Sequence, residues 1–171
     1  MAVNVTIIGA DVLGQSIGLA LKGSEAPMTV TLHDRDHERA QQGVSIGAGD
    51  RAVWNLPAAV KDADLVFVNE TLNHIEKTLE VLGRELREGA VVTDTASIKQ
   101  PVLRWATEYL PEGIHFVGST PLGAPRTPTA DAFREKRYAI LPLPASAEAA
   151  VKLVTDTITL MGAAPLFIEP E

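Results

Sequence analysis

Three short segments carry the residue types from which a ligand site can be built: Gly9-Ala10-Asp11-Val12-Leu13-Gly14, Asp34-Arg35 and Asp94-Thr95-Ala96-Ser97-Ile98-Lys99. In the first, Gly9 and Gly14 have the outer spacing of a G-x-G-x-x-G turn. The first glycine of such a turn permits the bend, the second admits a pyrophosphate to the backbone, and the third lets helix and strand pack closely. Asp11 stands where the second glycine belongs. A carboxylate about 5 Å from one phosphate charge repels it by about 3 kcal/mol at an effective dielectric of about 20. That corresponds to a loss of about a hundredfold in affinity. If Asp11 caps the following helix, its own anion also takes the place of the pyrophosphate at the helix N-terminus. The opposing reading turns Asp11 outward, with altered loop geometry and binding intact. The residue types favour impaired binding.

Asp34 closes an apolar strand. An acid there accepts hydrogen bonds from adenosine ribose hydroxyls and disfavours a 2′-phosphate. The alternative is a cap on the next turn. Arg35 suits either stacking on an adenine or contact with a phosphate, so the pair leans toward NAD over NADP without settling it. Ser97 is a good helix N-cap by type, or a hydroxyl aimed into a crevice. Lys99 reads as an exposed first-turn lysine, with contact to an anion as the alternative. His33, His37, His74 and His115 read as structural or solvated, and no pair has metal-ligand spacing. The glycine turn lacks the Lys-Ser/Thr of a nucleoside-triphosphate loop, and no serine sits in a G-x-S-x-G elbow.

The elements that must position these residues alternate from end to end. Strands are expected over Val3–Ile8, Met28–His33, Ala63–Val68, Ala90–Asp94, Ile114–Gly118, Tyr138–Leu143 and Pro165–Ile168, with a short one before Asn55. Helices are expected over Val12–Lys22, Asp36–Gln42, Leu72–Leu86, Ile98–Leu110 and Ser146–Met161, and a helical turn over Pro57–Lys61. Leu72, Ile75, Leu79, Leu82 and Leu86 have helical spacing. Ser119–Thr129 holds three prolines and reads as a loop. Continuous apolar strands separated by helices predict a doubly wound, mostly parallel α/β sheet with helices on both faces. Ligands of such sheets sit beyond the carboxyl ends of the strands. Those ends carry Gly9–Gly14, Asp34-Arg35, Asn69-Glu70-Thr71, Asp94–Lys99 and Ser119–Gly123.

The chain has 171 residues, enough for one domain with a sizeable core. A hydrophobic fraction of 46% with 22% charged residues is that of a soluble globular protein. A net charge of −7 argues against nucleic-acid or anionic-membrane partners and leaves a small molecule in the crevice. The absence of cysteine excludes disulfides, thiolate metal sites and cysteine nucleophiles. No run is long enough to span a membrane and no secretory signal is visible, so a cytoplasmic location is the default expectation.

Taken together, the motifs resemble the Rossmann-like nucleotide-binding domain of prephenate and arogenate dehydrogenases, over essentially the whole chain. The resemblance rests on Val5-Thr6-Ile7-Ile8-Gly9-Ala10 with Leu13-Gly14-Gln15-Ser16, on Asp34-Arg35-Asp36 and on Asp62-Ala63-Asp64-Leu65-Val66. Val91-Val92-Thr93-Asp94 with Ser97-Ile98-Lys99, Leu110-Pro111 with Phe116-Val117-Gly118, and Ala130-Asp131-Ala132-Phe133-Arg134 running into Tyr138-Ala139-Ile140-Leu141 extend it. It implies transfer of hydride from prephenate or arogenate to NAD or NADP with decarboxylation. It also implies that Gly9, Ala10, Asp11, Val12, Leu13, Gly14, Asp34, Arg35, Asn69 and Ser97 face the cofactor, with Ser97 as the active-site serine near the nicotinamide.

The resemblance is broken at three places in the crevice, Asp11 being the first, and by a missing domain. Thr120 holds the position of the family's catalytic histidine, and threonine is no base near neutral pH. His115 cannot replace it from five residues back, about 17 Å along an extended strand. The family's apolar-Pro element after the fourth strand reads Asn69-Glu70-Thr71. The sequence ends at Glu171 without the family's helical C-terminal domain, which dimerises and completes the substrate pocket. The expectation is a dehydrogenase-like domain, 1–171, whose dinucleotide binding and hydride transfer are weakened, lost or altered. An oxidoreductase active when joined to its missing domain, and a non-catalytic binding module, are the alternatives.

Overall fold

A computed structural model describes residues 2–169, so the terminal Glu171 lies outside them. The chain alternates β1 (Val3–Ile8), α1 (Val12–Lys22), β2 (Met28–His33), α2 (His37–Ser45), β3 (Arg51–Ala52), α3 (Leu56–Val60), β4 (Leu65–Val68), α4 (Leu72–Glu85), β5 (Val91–Asp94), α5 (Gln100–Tyr109), β6 (His115–Pro121), β7 (Arg137–Pro142), α6 (Glu148–Leu160) and β8 (Ala164–Phe167). The strands form one sheet in the order β3-β2-β1-β4-β5-β6-β7-β8. The first six strands run parallel, and β7 and β8 run the other way. The doubly wound, mostly parallel architecture is therefore present. Among the described residues no helix is long and apolar enough to cross a membrane.

Strand side chains alternate between two cores. Leu65 and Phe67 of β4 join a cluster with Ile17 and Leu21 of α1, Ala40 of α2 and Val154 and Ile158 of α6. Val66 and Val68 face Val60 of α3, Ile75, Leu79 and Leu82 of α4, and Val102 of α5. All four β4 residues are fully buried, which is why the strand reads as an unbroken apolar run. The order reverses between β1 and β4, and a crevice opens there beyond their carboxyl ends.

Two expectations change. β6 continues to Pro121, so Ser119 and Thr120 lie in a strand and not in a loop. The β6–β7 connection contains no helix to carry the chain back across the sheet, and β7 accordingly pairs antiparallel, Thr120 opposite Ala139. Helix α5 starts at Gln100, not Ile98, and Ser97 does not cap it. The segment before it is tied down elsewhere: the Thr95 N–H donates to the Val68 carbonyl, the Ala96 N–H to Asp94 Oδ2, and the Thr120 hydroxyl to the Thr95 carbonyl.

Candidate functional site

The crevice is a cleft of about 280 Å³ whose lining includes Gly9, Asp11, Asp34, Arg35, Asn69 and Glu70. Its floor is the turn from β1 to α1. Gly9 has φ +102°, and a Cβ there would lie 1.8 Å from the Asn69 carbonyl oxygen. A Cβ on Gly14 would lie 1.9 Å from the Gly9 carbonyl oxygen. Both glycines are required by close backbone approach, with or without a ligand.

Asp11 caps α1. Its Oδ1 accepts from the Gly14 N–H at 3.0 Å and from Asn69 Nδ2 at 2.7 Å. Asn69 Nδ2 also donates to the Gly9 carbonyl at 2.9 Å, and Asn69 Oδ1 accepts from the Thr95 hydroxyl at 2.7 Å. The end of β4 is thus bonded to both neighbouring strand ends through one amide side chain. The carboxylate is held at the helix N-terminus, where the backbone N–H groups and the helix dipole would otherwise receive an anionic ligand.

Asp34 is buried at the end of β2. Its Oδ2 accepts from the Ala10 N–H at 2.7 Å and its Oδ1 from the Asp36 N–H at 2.9 Å. It therefore both holds the glycine turn and caps the next one. A carboxylate with four lone-pair positions retains acceptor capacity toward the cleft it lines. Val12 and Leu13 form the first turn of α1, and Leu13 packs against the core. Ser97 is exposed on the β5–α5 loop. Neither Ser97 nor Thr120 is among the residues lining this cleft.

Two pairs were not anticipated. Arg35 Nε lies 3.2 Å from Glu70 Oε2, spanning from the end of β2 to the end of β4. The Glu70 side chain is only 8% exposed, and its other oxygen accepts from the Thr78 hydroxyl of α4. Lys99 is not a solvated lysine. Its ammonium reaches back 2.6 Å to Asp94 Oδ2 and also donates to the Ser119 carbonyl. The Lys99 side chain is 11% exposed and that of Asp94 is fully buried. Burial pushes the Asp94 carboxyl up from its usual range, opposed by Lys99 and by the Ser119 and Ala96 N–H groups. Burial likewise pushes the Lys99 ammonium down, opposed by Asp94. The Ser119 hydroxyl donates to the Asp94 carbonyl at 2.8 Å and contacts the Thr93 hydroxyl at 2.8 Å. Burial raises the nearby Tyr138 phenol, with Ser119 opposing. The only legible signal for the ion pair was an acid closing an apolar strand with a lysine shortly after it.

The sequence matches the family described as the nucleotide-binding domain of prephenate dehydrogenase over residues 17–166. The chain belongs to this family. The match begins just after the turn that contains Asp11. Cyclohexadienyl dehydrogenase of Zymomonas mobilis is 23% identical over 157 residues, covering 90% of this chain and 54% of that protein. Prephenate dehydrogenase of Bacillus subtilis is 28% identical over 122 residues, covering 69% of this chain and 32% of that protein. The chain thus spans about half the length of the first relative and about a third of the second. The crystal structure of Aquifex aeolicus prephenate dehydrogenase superposes with a TM-score of 0.88 at 21% identity, over 97% of this chain and 61% of that one. A structure of the Aquifex aeolicus enzyme with hydroxyphenyl propionate and NAD+ superposes with a TM-score of 0.89 at 21% identity, over 99% of this chain and 61% of that one. At such identity the superpositions establish the fold. The family places the chain among nucleotide-binding domains of dehydrogenases.

Proposed function

We propose that this chain is a prephenate-dehydrogenase-like domain of the NAD(P)-binding type in which dinucleotide affinity is weakened and hydride transfer is lost or altered. The ribose end of a dinucleotide fits the cleft, because Asp34 offers an acceptor at the end of β2. The pyrophosphate does not fit, because the Asp11 carboxylate already accepts from the Gly14 N–H at the head of α1. That bond is the observation carrying the reading. The reading is supported at the neighbouring strand ends, where Thr120 donates its hydroxyl to the Thr95 carbonyl and provides no base. The partner is a small molecule, in keeping with a net charge of −7, and neither a nucleic acid nor a membrane. A cytoplasmic setting and a homodimer of the whole protein belong to the same proposal.

Calorimetric titration of NAD(H) and NADP(H) into the protein and into Asp11→Gly tests it. Glycine is tolerated at an N-cap at a cost of a few tenths of a kcal/mol, so the variant keeps its fold. The expected gain in affinity is about a hundredfold. Low-micromolar binding by the parent, with no gain in Asp11→Gly, would overturn the reading.

A further inference from the structure

The structure assigns to Glu70 a role in ligand selection: by pairing with Arg35 it makes the cleft reject a 2′-phosphate on the adenosine ribose, selecting NAD-type over NADP-type ligands. The inference rests on the reading that Asp34 meets that ribose. Sequence leaves the matter open, since Asp34 speaks for a free 2′-hydroxyl while an adjacent arginine is the usual counter-ion for a 2′-phosphate. The fold decides it through a residue distant in sequence. Arg35 is 54% exposed, yet its guanidinium lies on a carboxylate that is 8% exposed and anchored on its far side by Thr78. Moving Arg35 onto a ligand phosphate would strip a buried carboxylate of its counter-charge, which is unfavourable. A phosphate joining Arg35 in place would come to rest beside Glu70. The second arginine on this rim, Arg39, already faces Asp34 at 3.8 Å, so both arginines of the rim have an acidic partner.

The test uses adenosine and adenosine 2′-monophosphate, which carry no 5′-phosphate and so do not meet Asp11. Each is titrated by amide NMR shifts into the protein, Glu70→Gln and Arg35→Ala. Glutamine keeps an acceptor for Thr78 and removes the charge. The parent is expected to bind adenosine at least about tenfold tighter than its 2′-phosphate. Glu70→Gln should narrow that gap at least about fivefold. Arg35→Ala, a change at an exposed side chain, should widen it by leaving Glu70 uncompensated. Equal or tighter binding of the 2′-phosphate by the parent, a gap that Glu70→Gln leaves unmoved, a gap that Arg35→Ala narrows, or no binding of adenosine overturns the inference. Loss of adenosine binding would also remove the ribose site from the proposed function. A wrong order of affinities with adenosine bound removes only the role of Glu70, and neither result bears on Asp11.

Discussion

Replacing Lys99 with methionine isolates the buried ion pair. The substitution keeps the length of the side chain and deletes the ammonium that bonds Asp94 Oδ2 and the Ser119 carbonyl. Asp94 keeps the Ser119 and Ala96 N–H groups but loses its only cationic partner among the described residues. Breaking a buried pair from one side costs about 3–5 kcal/mol. The loss should depend on pH, with a sign that follows from Asp94. Burial already holds this carboxyl above its usual range, and without the ammonium it is pushed further up. For a group raised in the folded state, the favourable contribution is complete below the unfolded pKa of about 3.9 and is lost as pH rises through the folded value. The deficit of Lys99→Met relative to the parent should therefore grow from mildly acidic to neutral pH, at no more than about 1.4 kcal/mol per unit. Urea unfolding followed by far-UV circular dichroism at about pH 5 and about pH 7.5 measures it. At a slope of about 2 kcal/mol per molar, the neutral-pH midpoint should fall by about 1.5–2.5 M. Adding Asp94→Asn should recover part of the loss, because the uncompensated charge is gone. A neutral-pH deficit under about 1 kcal/mol, or an equal deficit at both pH values, would refute the reasoning.

Two further substitutions probe the frame of the site. Gly18→Ala should gain about 1 kcal/mol of helix propensity in α1, yet its Cβ would lie 1.9 Å from the Ala48 carbonyl oxygen. A net loss of about 2 kcal/mol is expected from the overpacking, and a raised melting temperature would show that the α1–Ala48 contact is not tight. Asn69→Asp preserves shape but replaces the donor to the Gly9 carbonyl and to Asp11 with a carboxylate oxygen. It should destabilise by about 2–3 kcal/mol at neutral pH and by less near pH 4, where the new acid can protonate; denaturant midpoints at the two pH values decide it.

Much of the architecture was legible because it is written in local patterns. The alternation of apolar runs and helical spacings placed nearly every element, and Asn55, Asp36 and Asp11 sit at helix starts where their types belong. The errors share one cause. Ser97 looks like a cap and Lys99 like a solvated residue only while Asp94 and Ser119 are out of view. Likewise β6 looks finished at Gly118 until β7 is laid against Ser119 and Thr120. Glu70 gave no signal, because its partners Arg35 and Thr78 lie on two other elements.

By itself the sequence determined a doubly wound sheet, a glycine turn entering a helix, and a carboxylate where that turn usually admits a phosphate. These depend on contacts within a turn or on periodicity along one element. Only the tertiary structure decided what holds that carboxylate and what the arginine beside Asp34 faces. Strand β1 lies between β2 and β4, which brings Asn69 to Gly9 and Asp11, and Glu70 to Arg35. The order of strands in a sheet sets which charges and amides meet at its carboxyl edge, and no pattern local to one strand contains that order.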